Sequence, residues 1–384
     1  MYNRKTVFWI ACAGMLLFGI CLITLGAVTP DLKSKFNLDN VSAGTLFSIL
    51  PLGVLAGSLL FGPVCDKYGY RILLTVSALL LCVGFEGIAF SPTEGILKLY
   101  ILLIGIGGGT INGATNALVA DISEKDKGAN LNLLGVFFGL GALGMPLLLG
   151  ALERFMKFEA VIAIVGGATL IVAILFAVIK YPPAKQEEKL PLKTIISLFR
   201  DSFIMLIAFF LFFQSAFEAL VNNWTTTFLI DRNGIVLSKA LFALSSYVAG
   251  MSVMRLLIGS ALRSLHAKKL LLLSFIITFI ALACIKLGNA YIFSVAGLFI
   301  LGMGLAGNFP TMLGLVGDKY SNISGTAFSI VFSIALLGNM LINYLMGNIA
   351  KVFGIQHLIT VAFIEWIILI IMSMLVFRKY KTNN

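Results

Sequence analysis

Apolar runs of roughly 20 residues recur along the whole chain, and they limit what it can fold into more than any other feature. An α-helix rises 1.5 Å per residue, so about 20 residues cover the hydrocarbon core of a bilayer. Twelve such runs are read, at residues 8–30, 41–63, 71–91, 99–121, 129–150, 159–180, 203–230, 237–262, 270–286, 291–318, 326–350 and 355–377. They are too long and too unalternating for the strands of a transmembrane barrel. Composition agrees. Hydrophobic residues make up 59% of the chain and charged residues 12%, against about 25% charge in a soluble domain. A body of this makeup has too little polar surface to face water on all sides. The fold class expected is all-α integral membrane, with twelve transmembrane helices and the lipid bilayer as solvent.

The net charge is +11. The charges fall between the apolar runs, and no basic cluster is interleaved with aromatics, which argues against a nucleic-acid partner. With both termini in the cytoplasm, cytoplasmic segments carry about twice as many Lys and Arg as outer loops, the bias expected of inward-facing loops. The first run follows Arg4 and Lys5, is longer than a cleaved signal and lacks a small-residue cleavage pattern, so it reads as a retained span. A multi-pass protein of a bacterial-type inner membrane is expected. Cys12, Cys21, Cys65, Cys82 and Cys284 are irregularly spaced and suit buried small side chains. Neither a disulfide framework, a metal site nor a cofactor is implied.

Residues 181–200 form the only long polar stretch, with Pro182, Pro183, Pro191 and several lysines. They read as a cytoplasmic linker between a bundle over 1–180 and another over 201–384. The two halves are related. A shift of 197 residues lays Gly53 on Gly250, Gly62 on Gly259, Gly105 on Gly302, Gly107 on Gly304, Gly128 on Gly325, Gly141 on Gly338 and Gly150 on Gly347. Chance predicts about two such coincidences. Asp121 also falls on Asp318. Six spans per repeat is an even number, so the halves share one orientation. Two six-helix pseudo-symmetric bundles are expected, an arrangement that resembles the parallel repeat of the major facilitator fold.

After the second span the sequence reads Gly62-Pro63-Val64-Cys65-Asp66-Lys67-Tyr68-Gly69-Tyr70-Arg71. Gly62 permits close helix approach and Gly69 a tight turn. Asp66 suits a basic partner or a helix N-terminus. This resembles the signature loop of the major facilitator superfamily, which implies a gating role for Gly62, Asp66, Lys67, Gly69 and Arg71. The second-half counterpart is degenerate: Gly259, Arg263, His266 and Lys268. Arg255, near the cytoplasmic end of the eighth span, is read as a gate or structural residue paired with Asp318 or a helix C-terminus.

Polar residues within the spans mark a site, because they are costly against lipid. Asn112 and Asn116 share a face of the fourth span, four residues apart. Their surroundings, Gly105-Ile106-Gly107 onward, resemble the fourth span of the fucose:proton symporter family. The acidic position of that family is Asn112 here, so its coupling carboxylate has no counterpart at this place. The seventh span carries Gln214, Glu218 and Asn222 at intervals of four, with Asn223 and Trp224 beside them. A mid-membrane carboxylate must be paired, hydrated or protonated, and a group that changes charge is what proton coupling needs. Glu218 is therefore the candidate coupling residue, and Trp224 a platform for the apolar face of a sugar ring. Asn308 beside Pro310, Asn339, Asn343 and the Ser245-Ser246-Tyr247 run complete the cavity-lining candidates. Glu86 and Glu365 fall in spans that this architecture puts at the periphery. No function is assigned to either.

The reading that follows is a secondary active transporter of a small polar solute. The resemblance implies a sugar, proton- or sodium-coupled symport by alternating access, and action as a monomer. Amides can donate to and accept from hydroxyls at once, which suits such a solute. A proton-coupled multidrug or metabolite exporter is the alternative, since Gly141, Gly144, Pro146 and Gly150 echo a motif of antiporters. An enzyme is not expected: the only histidines, His266 and His357, lie at loop or span-edge positions, and no metal or phosphate-loop motif occurs.

Overall fold

The computed structural model describes residues 2–38, 40–152, 155–184, 192–288 and 290–382. Its helices in the first half are α1 (Arg4–Phe36), α2 (Asn40–Tyr68), α3 (Tyr70–Phe90), α4 (Glu94–Ile122), α5 (Lys127–Leu152) and α6 (Phe158–Val178). A short α7 (Leu192–Arg200) precedes α8 (Ser202–Asn233), α9 (Leu237–Gly259), α10 (Ala267–Leu287), α11 (Tyr291–Leu305), α12 (Asn308–Lys319), α13 (Ser324–Phe353) and α14 (Leu358–Thr382). Among the described residues, 12 spans are long and apolar enough to cross a membrane. Every one of them overlaps an apolar run read from the sequence.

Several boundaries differ from expectation. The helix α1 runs past Pro30 to Phe36, because the polar residues after Pro30 continue the helix beyond the apolar run. Part of the expected linker, Leu192–Arg200, is helical, while residues 185–191 lie outside the described residues. The tenth span is two helices rather than one. Pro310 has no N–H, and its ring crowds the carbonyl four residues back, at Ala306. The helix breaks there, between Leu305 and Asn308.

The chain divides into two compact units. One comprises Met1–Glu124, Leu134–Pro191 and Tyr320–Ser329; the other comprises Lys125–Leu133, Leu192–Lys319 and Ile330–Asn384. Each unit thus takes one short segment from the opposite half of the sequence, and these segments correspond under the shift of 197 residues.

Within the first unit α2 packs on α4 through backbone contact. A Cβ on Gly53 would stand 2.8 Å from the Cα of Gly105, and the reverse also holds. The second unit repeats this at α9 and α11, where Gly250 abuts the backbone of Phe299 and Gly302 that of Tyr247. The glycine coincidences mark a contact used twice. Small residues are the means by which helices pack in lipid, where burial of apolar surface gives no advantage over contact with acyl chains.

The outer face of α3 shows the complementary pattern. Ile72, Val76, Leu79 and Val83 recur at helical spacing and are all exposed. Leu74, Ser77, Ala78, Leu81 and Phe85 face inward. An exposed apolar stripe beside a buried, smaller and more polar one is the arrangement a lipid-facing helix requires.

The turn between α2 and α3 is a single residue, Gly69, at φ 75 and ψ 177. This region is essentially closed to residues with a Cβ. Replacing Gly69 with Ala is expected to destabilise the protein by about 1–3 kcal/mol, read as a lower midpoint in thermal unfolding of the detergent-purified protein. An unchanged midpoint would show that the turn can relax.

Candidate functional site

In the second unit, Gln214 lies at the centre of a buried polar network. Its Nε2 donates to Glu218 Oε1 at 2.9 Å and to the backbone carbonyl of Leu305 at 3.2 Å. Its Oε1 accepts from Asn308 Nδ2 at 2.9 Å. Gln214 and Asn308 are fully buried, while Glu218 is half-buried. The local reason is the helix break at Pro310. A carbonyl at the end of α11 is left without its helical donor, and an amide side chain from α8 supplies one. The same break brings Asn308 into reach of Gln214.

Glu218 also lies in the field of Arg255 on α9, and Tyr247 shares that field. The sequence offers Arg255 either Asp318 or a helix C-terminus as partner. The structure instead ties Asp318 to Lys127, at 3.0 Å, and the carboxylate acting on Arg255 is that of Glu218. Residues 218 and 255 sit on different helices with no fixed register between them, so spacing along the chain carried no signal for this pair.

The remaining candidates of α8 form a second cluster. Asn222 is exposed and donates to the carbonyl of Glu218 at 2.8 Å. Asn223 Nδ2 and Trp224 Nε1 both donate to Asn343 Oδ1, at 3.0 and 3.1 Å. The Trp224 ring edge reaches over Gly347. Asn343 in turn donates to the carbonyl of Asn339 at 2.8 Å, and Asn339 is half-buried. In the first unit, Asn116 donates to both the backbone and side-chain oxygens of Asn112, at 2.8 and 3.2 Å. Asn112 keeps partial exposure.

The signature segment is helical through Tyr68 rather than a loop, with Gly69 as its only break. Asp66 is buried and accepts from Gly325 N at 3.3 Å, Thr326 N at 2.9 Å and Thr326 Oγ1 at 2.7 Å. These are the first N–H groups of α13, so the carboxylate caps the positive end of that helix. A Cβ on Gly62 would stand 2.6 Å from the carbonyl of Gly325, which accounts for the glycine. Lys67 lies over the Tyr68 ring at 4.7 Å, and Arg71 Nε donates to the carbonyl of Ala177 at 2.5 Å.

The second half inverts this polarity. Arg263 stands 197 residues beyond Asp66 and bonds Asp126 Oδ2 at 3.2 Å and Asn130 Oδ1 at 3.0 Å, at the start of α5. A cation cannot cap an N-terminus, so the chain places an acid there for it to hold. The same shift relates two further pairs: Asp121 accepts from Ser324 Oγ at 2.8 Å, and Asp318 accepts from Lys127. The coincidence of Asp121 with Asp318 was visible in the sequence, and the shift also lays Lys127 on Ser324, so either pair, once the structure shows it, gives the other.

Glu86 abuts Gly166 of α6. Glu365 is buried, with Oε2 unbonded among the described residues. Among the described residues no group of three or more His, Cys, Asp or Glu could hold a metal ion.

The family model of the Major Facilitator Superfamily matches residues 7–320 and 233–384. The glucose/mannose transporter GlcP of Bacillus subtilis is 25% identical over 344 residues, 86% of this chain and 84% of that protein. The sodium-dependent glucose transporter 1 of Homo sapiens is 31% identical over 138 residues, 36% of this chain and 26% of that protein. Solved structures of the fucose:proton symporter FucP of Escherichia coli superpose with TM-score 0.81 at 16% identity, covering 96% of this chain and 98% of that one. The proton:xylose symporter XylE superposes at 0.77 and 15% identity, covering 97% and 94%. At these identities the structures speak for the fold.

Removing the Asp66 cap is expected to cost about 1–3 kcal/mol. Asp66→Ala lowers the thermal midpoint more than Asp66→Asn, since an Asn oxygen still accepts from Thr326. Equal midpoints for the two variants would mean that the capping bonds contribute nothing.

Proposed function

This chain belongs to the Major Facilitator Superfamily, and from that premise we propose a sugar symporter that couples uptake to protons by alternating access. It is a multi-pass membrane protein; in this reading both termini face the cytoplasm of a bacterial-type inner membrane. The observation that carries the proposal is the Gln214–Glu218–Asn308 network with Arg255 beside it.

A carboxylate within a span costs a few kcal/mol or more unless it is paired, hydrated or protonated. Glu218 has two ways to meet that demand. Deprotonated, it is stabilised by the guanidinium of Arg255. Protonated, it still offers its carbonyl oxygen to the Gln214 amide, through a weaker bond than the carboxylate accepts. A group with two supported charge states can take up a proton when solute binds and release it later. The transport cycle needs a ligand that favours one state over another, and no more than that.

The solute side of the proposal rests on chemistry and on relatives. Amides such as Asn112, Gln214, Asn222, Asn308 and Asn339 match the mixed donor and acceptor character of sugar hydroxyls. Relatives across most of the chain, or with the same fold, carry names that specify glucose, mannose, fucose or xylose. Trp224, with its N–H bonded to Asn343, leaves its ring as an apolar platform for a pyranose face.

The test uses protein reconstituted in liposomes with a pH-sensitive dye inside, under an imposed membrane potential. One or more neutral sugars should acidify the lumen. In Glu218→Gln, sugar-driven acidification should fall at least about tenfold while exchange of labelled sugar at equal concentrations continues, because the amide keeps its bond to Gln214. Acidification unchanged by the substitution would remove Glu218 from coupling. Dependence on a sodium gradient alone would replace the proton. Proton efflux provoked by lipophilic cations, with no response to sugars, would favour export.

A further inference from the structure

A cavity of about 440 Å³ opens beside the signature turn, between the N-terminus of α3 and the end of α6. It lies wholly within the first unit. Tyr2, Tyr68, Tyr70, Arg71, Lys180 and Tyr181 contribute to its lining, and among the described residues that lining contains neither Asp nor Glu. Two cations therefore line this cavity, with no acidic side chain beside them among the described lining residues.

Three details give it the character of an anion site. Arg71 spends one of its five N–H groups on the Ala177 carbonyl, and this bond holds the guanidinium against the last turn of α6. The hydroxyl of Tyr181 is buried and has no hydrogen-bond partner among the described residues. A buried hydroxyl without a partner is uncommon and costly. Burial pushes the Tyr181 phenol above its ordinary range, with the positive charge of Arg71 opposing; the group stays a proton donor. The start of α3 adds the positive end of its helix dipole.

The surroundings specify the source of the anion. From the mouth of the cavity, α3 and α6 carry exposed apolar side chains, including Ile72 and Val76 on one helix and Ile171, Ile174 and Val178 on the other. The two helices pack side by side. A basic, hydroxylated recess at the ends of two spans thus continues into an apolar surface running along them. A soluble phosphate would use only the recess. A phospholipid would use both parts.

We propose that this cavity binds the phosphate headgroup of an anionic phospholipid, whose acyl chains lie along the outer faces of α3 and α6. Arg71 and Lys180 supply charge, Tyr181 donates a hydrogen bond, and the apolar side chains hold the tails. The proposal is independent of the solute carried. Because Arg71 and Gly69 belong to the signature segment, a lipid here would touch the same turn that joins α2 to α3.

Native mass spectrometry of the full-length protein, released from detergent after incubation with equal amounts of phosphatidylglycerol and phosphatidylcholine of matched chains, tests this. Phosphatidylglycerol should be retained at least about fivefold over phosphatidylcholine. Lys180→Glu should abolish that preference, and Tyr181→Phe should reduce it. Arg71→Gln should act like Lys180→Glu but is less clean, since it also releases the Ala177 carbonyl; Lys180→Glu alters an exposed side chain beyond the end of α6 and decides the matter alone. Millimolar glycerol 3-phosphate should not displace the lipid. Equal retention of the two lipids, an undiminished preference in Lys180→Glu, or displacement by glycerol 3-phosphate, which would mark a site for soluble phosphates, each overturns the proposal.

Discussion

Hydrocarbon offers no hydrogen bonds, so a chain that crosses it must satisfy its backbone and polar side chains from within. This demand explains the helices, and it also explains what happens wherever a helix is interrupted. At the break before Pro310, Gln214 reaches across from α8 to the Leu305 carbonyl. At the start of α13, Asp66 takes the free N–H groups. At the end of α6, Arg71 takes a terminal carbonyl. Hydroxyls within spans turn back on their own helices, as Thr24, Thr115 and Thr169 do on carbonyls four residues earlier. Gln214, Asp66 and Arg71 each satisfy a backbone group that its own helix leaves open.

The two halves solve such problems in related but unequal ways. The close approach of α2 to α4 recurs at α9 and α11, and glycines occupy the same places in both. Contact between backbones leaves no room for substitution, so the glycine pattern persists through the repeat. Polar pairs have more freedom, because either member can carry the charge. Asp66 caps α13, while Arg263 at the equivalent place binds an acid at the start of α5. Asp121 takes a serine hydroxyl where Asp318 takes an ammonium. Opposite polarity at equivalent positions gives the halves different electrostatics on a shared backbone plan. The polar network around Glu218 shows the same inequality: Gln214, Glu218 and Asn308 occur in the second half, whereas the first half offers an asparagine pair on a single helix.

Much of this was legible along the chain. Apolar runs located the spans, since hydrophobic length is a local property. The shift of 197 residues exposed the repeat. Gly69 and Asp66 stood out because a turn and a helix cap each need a particular residue type. Polar residues at intervals of four marked the face of α8 that carries Gln214, Glu218 and Asn222. Pro310 announced a disturbance in the tenth span but not a break, because helices in membranes can absorb a proline when neighbours supply the missing bonds.

What the sequence could not supply was partnership. Whether Asp318 meets Arg255 or Lys127, and whether Glu218 stands alone or near a guanidinium, depends on how helices rotate and slide against one another. That is set by the sum of many small packing contacts, none of which has a signature in a single segment. Trp224 is a further case: its position suggested an aromatic platform, but only the packed helices show its N–H bonded to Asn343. Periodicity and composition thus determined the helices and their lipid-facing sides, since these follow from transfer of each residue between water and hydrocarbon. The tertiary structure decided which polar groups satisfy one another, because hydrogen bonds act over about 3 Å and require atoms from distant parts of the chain to meet.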